Sequence, residues 1–197
     1  MKWSRAVHHL EELALTCSDM AGRQDTIFAL RVTQVWAYGD VLNSNHGDLD
    51  ELQVALVVDL PVGDLAWCCP PVGAEHWSQA TRLAKNPIVS MWRSTRAPVW
   101  NHHIRRPLLI WDERGGIVTD ALSAIRNGTA DALRLPEPAQ DEMHTRLEAE
   151  LAVSHRALRS ATAAYEQRRF SPGKIGPVAD ALWNASQGYL DVLDATR

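Results

Sequence analysis

Two apolar runs, Leu30 to Tyr38 and Leu52 to Leu60, flank a polar loop that opens on Gly39 and carries Asp40, Asp48, Asp50 and Glu51. No other feature narrows the fold as much. In the second run Leu52, Val54, Leu56 and Val58 alternate with Gln53, Ala55, Val57 and Asp59, the two-residue period of a strand. Both runs therefore read as buried strands of one sheet. Asn43, Ser44, Asn45 and Gly47 are turn formers, so at its simplest the loop is a surface hairpin with solvated acids.

Helical periodicity surrounds this pair. Trp3, Ala6, Val7, Leu10, Leu13, Ala14, Cys17 and Met20 make one apolar stripe that Gly22 ends. His8 and His9 flank the stripe as a solvated or capping pair, because adjacent helical residues do not face each other. A short helix is expected over Ala74 to Lys85, stopped by Asn86-Pro87. "RPLLIWDERGGIV" reads as a third strand, a glycine turn and a short return, after which Thr119 caps a helix that Gly128 closes.

From Ala139 onward Met143, Leu147, Leu151, Leu158, Ala161 and Tyr165 line a long helix. "SPGKIGP" breaks it, and Pro177 opens a final helix. The fold class is α/β: a small mixed sheet with an N-terminal helix and a C-terminal helical hairpin. Residues 1–135 form the α/β domain, and 136–197 the hairpin packed on it.

A chain of 197 residues with 46% hydrophobic residues can bury a real core, and its eight Trp are read as core fillers. The net charge of −4 argues against broad attraction to nucleic acid or to anionic membrane. No segment reaches the apolar length of a membrane span or of a signal peptide. Cys17, Cys68 and Cys69 cannot pair completely and have no metal-type spacing, which points to a reduced, cytoplasmic protein.

The layout of strand, Gly39, loop and acid-opened strand resembles the nucleotidyltransferase superfamily that contains DNA polymerase beta. That family's signature is a strand ending in Gly-Ser, a loop, then Asp-x-Asp opening the next strand, with a third carboxylate on a later strand. Its serine helps to hold phosphates, and its carboxylates bind two Mg²⁺ ions. The resemblance, over about Arg31 to Glu113, implies the sheet type and places Gly39 and Asp40 at the Gly-Ser positions. It places Glu51 and Gln53 at the acidic pair and Asp112, at the end of "PLLIWD", as the third carboxylate.

Catalytic and metal-binding roles then fall to Glu51 and Asp112, and nucleotide contacts to Gly39, Asp40, Gln53 and Arg105. Two positions depart from the pattern. Asp40 sets a negative charge where a phosphate should bind, and Gln53 offers a neutral carbonyl where two metals need an anion. Asp48 and Asp50 are an alternative register that restores both charges, but pleat geometry favours Glu51 and Gln53.

In "WNHHIRR", His102 and His103 would point to opposite faces of an extended segment. Arg105 and Arg106, with Arg93 and Arg96, make either a solvated basic edge strand or a basic lining for phosphate. "PGKIG" lacks phosphate-loop spacing, so Lys174 is read as a turn residue. Arg156, Arg159 and the stretch Glu148 to Glu150 are read as a solvated helix face.

The expected function is a nucleotidyltransferase-like protein with a weakened or lost metal site, a nucleotide-binding or regulatory module with a nucleotide or protein partner. Two alternatives stand beside it: an active Mg²⁺-dependent transferase, and an interaction protein outside that family.

Overall fold

Five strands form one mixed sheet in the computed structural model, which describes residues 1–22, 30–43, 47–83 and 86–197. In chain order the elements are α1 (Trp3–Ala21), β1 (Val32–Tyr38), β2 (Leu52–Val58), α2 (Ala74–Ala80) and β3 (Ile88–Ser94). Then come β4 (Leu108–Asp112), β5 (Gly116–Ile117), α3 (Thr119–Arg126), α4 (Gln140–Arg168) and α5 (Gly176–Ala195). The strand order is β3-β2-β1-β4-β5. β1 runs antiparallel to both β2 and β4, while β2 and β3 are parallel and joined by the crossover that contains α2.

The alternation in β2 sorts its side chains between two cores. Leu52, Val54, Leu56 and Val58 join Val35, Ala37 and Ile110 under α1, α2 and α3. Ala55 and Val57 join Tyr38, Trp67 and Ile104 under Leu147 of α4 and Val192 of α5. The sheet is thus covered on both faces, as two apolar sets on one strand require. At about 25 cal/mol per Å² this two-sided burial is the main force holding the helices to the sheet.

The expected α/β class, N-terminal helix and C-terminal helices are all present. Other boundaries differ. β3 was not anticipated, and "WNHHIRR" is irregular chain rather than an edge strand. α2 ends at Ala80; the expected helix end at Lys85 lies outside the described residues, as do Ser44 and Asn45 of the loop. Val118, not Thr119, holds the cap position of α3. Of the histidine pair, His8 is exposed and His9 is buried with Nδ1 3.3 Å from Glu12. Among the described residues no helix is long and apolar enough to cross a membrane.

Candidate functional site

Four of the anticipated residues converge where β1 hands over to β2. Tyr38 pairs with Gln53 across the ladder, and the chain then enters a 3-10 turn over Gly39–Leu42. Gly39 has φ +75°, and a Cβ there would overlap the Gln53 side-chain oxygen. Only glycine relieves both constraints. The Gln53 side-chain amide donates to Glu51, so these two side chains share one face. Asp40 lies in the first turn, exposed, and accepts a hydrogen bond from Asn43 Nδ2 at 3.1 Å. Beneath them Tyr38 is buried. Burial first, then the Glu51 carboxylate, push its phenol above its ordinary range.

Gln53 lies on β2 and Glu51 immediately precedes that strand. Leu49 is buried and its N–H donates to the Met1 carbonyl at 2.7 Å, while Asp48 and Asp50 on either side of it are exposed and precede β2. Neither residue of the alternative acidic pair lies on the strand, whereas Gln53 of the first pair does.

Asp112 does not join this group. It pairs with Gln34 on β1, whereas Gln53 pairs with Tyr38 and Glu51 lies two positions further out. At ~3.3 Å per residue the two carboxylates stand about 20 Å apart along the strand axis. Ligands of one hard cation, each within 2.6 Å of it, stand within about 5 Å of each other. Glu51 and Asp112 share a face of the sheet at opposite ends, so they cannot form one metal site. Asp112 instead holds its own turn: it accepts from Gln34 Nε2 (2.9 Å) and from the N–H groups of Arg114 (2.9 Å) and Gly115 (3.1 Å). The Gln34 bond in particular keeps its carboxyl below the ordinary value.

The strand that does flank β2 is β3, whose Val89 stands opposite Gln53. No residue of Ile88–Ser94 is acidic. Among the described residues no group of three or more His, Cys, Asp or Glu side chains could hold a metal ion.

The anticipated basic lining is likewise dispersed into ion pairs. Arg105 reaches Glu137 (3.1 Å), Arg106 reaches Asp131 (2.8 Å) and Arg96 reaches Asp59 (3.6 Å). Arg93 is buried and donates to Glu150 at 2.6 Å and to the Val99 carbonyl at 2.9 Å. Arg146, one turn before Glu150 on α4, approaches the same oxygen at 2.8 Å. Asn101 Nδ2 donates to the other carboxylate oxygen at 3.0 Å, and its Oδ1 accepts from the N–H groups of His103 and Ile104. Glu150 is therefore not part of a solvated face; it is the centre of a buried network. Desolvation alone would raise its pKa, but Arg93 and Arg146 hold it below the ordinary value. A sequence signal existed: Glu150 falls on the helical stripe of Leu147 and Val153, where an apolar side chain is expected.

His102 and His103 pack against Trp67, with ring centroids 5.3 and 5.6 Å away, and His102 Nε2 lies 3.3 Å from Asp191 of α5. These contacts and the Arg93 network fasten the hairpin to the sheet.

A family model described as a domain of unknown function, DUF7711, matches residues 1–197. No curated protein and no solved structure matches the chain.

Proposed function

We propose that this chain, which belongs to the DUF7711 family, is a nucleotidyltransferase-like module that works by binding, its metal centre lost. One observation carries the reading. The Gly39 turn, Glu51 and Gln53 stand together at one end of the sheet, while both further carboxylates that two metals need are missing there. Asp112 lies at the far end, and the facing position on β3 is Val89. Of the three carboxylate positions that the resemblance implies, only Glu51 is acidic at this end, and one such ligand does not offset the cost of dehydrating Mg²⁺, which needs several oxygen ligands in near-octahedral array.

The same end of the sheet is acidic, with Asp40, Asp48, Asp50 and Glu51 against the Met1 ammonium that donates to the Leu49 carbonyl, so its net charge opposes a triphosphate. A protein partner fits better. The hairpin exposes Phe170, Trp183 and Leu190, large apolar side chains that a partner surface would cover. We place this binding role in the cytoplasm, in keeping with free cysteines at positions 17, 68 and 69.

Calorimetric titration with each nucleoside triphosphate, with and without Mg²⁺, tests the reading. The expected result is weak triphosphate binding that Mg²⁺ does not change. Mg²⁺-dependent tightening would favour an active transferase instead. Asp40→Ser with Gln53→Asp removes one repulsion and supplies a second metal ligand. This double variant should gain roughly tenfold in Mg²⁺-dependent triphosphate affinity, the worth of one charge-assisted contact. It should still transfer no nucleotide, because the third carboxylate is absent.

A further inference from the structure

Away from the β1–β2 end, three sulfur-bearing side chains border one small space. After β2 the chain makes a tight turn in which the Cys69 N–H donates to the Ala66 carbonyl at 3.0 Å. Cys68 holds the third position of that turn at φ +59°. Glycine or asparagine fills such a position with least strain, and a cysteine there needs another reason. Cys68, Cys69 and Met91 of β3 line a cavity of about 130 Å³, together with Ser90 and Trp92. Both cysteines are free and half-buried.

We infer that Cys68, Cys69 and Met91 form a binding site for one Cu(I) ion. Two thiolates and a thioether are soft donors, which select Cu(I) and reject the hard cations that prefer oxygen. Structural Zn²⁺ asks for four nitrogen or sulfur ligands, and no third His, Cys, Asp or Glu completes such a set among the described residues. Loading breaks two S–H bonds and forms three Cu–S bonds, two to the thiolates and one to a lone pair of the Met91 thioether, and releases two protons to water, with no change of oxidation state. The turn is held from above by α5, which crosses Trp67 and Cys68 at Gly188, so the donors are placed by the fold.

The test is an anaerobic titration of the full chain with Cu(I), in ascorbate, against the chromophoric chelator bathocuproine disulfonate. The expected result is one ion per chain, with release of about two protons near neutral pH. Cys68→Ser and Cys69→Ser should each lose roughly a hundredfold in affinity, and the volume-conserving Met91→Leu roughly tenfold. Cys17→Ala should change nothing, because Cys17 lies on α1, buried in the core on the other face of the sheet. A thermal melt of each metal-free variant shows whether it is folded. Equal affinity in the urea-unfolded chain, full binding by Cys68→Ser, no effect of Met91→Leu, or tighter binding of Zn²⁺ than of Cu(I) would each overturn the site.

Discussion

Replacing Glu150 with alanine is expected to destabilise the protein by about 3–5 kcal/mol, the usual loss when one partner of a buried ion pair is removed. The size follows from what remains behind. Arg93 is 3% exposed and would keep its charge with only carbonyl partners, while Arg146 would lose its counter-charge on the same helix. Asn101 would also lose the acceptor of its side-chain amide. Glu148→Ala, one turn-face away and exposed, should stay within ~0.5 kcal/mol. Urea unfolding of both variants measures the difference, provided the slope is unchanged.

The network also predicts a pH dependence. The folded pKa of Glu150 lies below its unfolded value, so its stabilisation is fully present above about pH 4.3 and is lost as pH falls through the folded pKa. The variant should lack this component of the acid limb. A loss under ~1 kcal/mol in Glu150→Ala would mean that the arginines find water when the carboxylate is gone.

Gly188→Ala is the second large effect, expected at about 2–3 kcal/mol of destabilisation. On helical propensity alone alanine should gain ~1 kcal/mol over glycine. The packing opposes it: a Cβ at Gly188 would stand 2.7 Å from the Trp67 carbonyl carbon and closer still to its oxygen. Both groups are backbone, so α5 must move away bodily. The Trp67 Nε1 bond to Asp191 and the burial of Val192 then weaken together. Urea unfolding, with hydrogen exchange across 176–195, distinguishes the outcomes. A stabilised Gly188→Ala with protection intact would show that propensity decides at this position.

The parts legible in the sequence are those set by neighbours in the chain. The α1 stripe, the alternation of β2 and the Gly39 turn each follow from local period and from glycine at a left-handed position. So does the meeting of Gly39, Glu51 and Gln53, because a hairpin-like link between adjacent strands fixes it. β3 was hidden because "IVSMWRS" carries an arginine at its next-to-last position, and the reason that Arg93 is tolerated lies on α4. Glu150 was hidden in the same way, as half of a pair whose other half is remote.

Asp112 was misplaced for a different reason. A carboxylate at the end of an apolar run marks a strand end, but only the pairing of β4 with β1 says which end of the sheet it reaches.

Diffraction from crystals soaked in Mn²⁺ and a non-hydrolysable nucleoside triphosphate addresses the loss of the metal centre most directly. The expected anomalous map has no peak within coordination distance of Glu51. Two peaks about 3.5–4 Å apart, bridged by Glu51 and the triphosphate, would contradict it and make the chain a metal-dependent transferase.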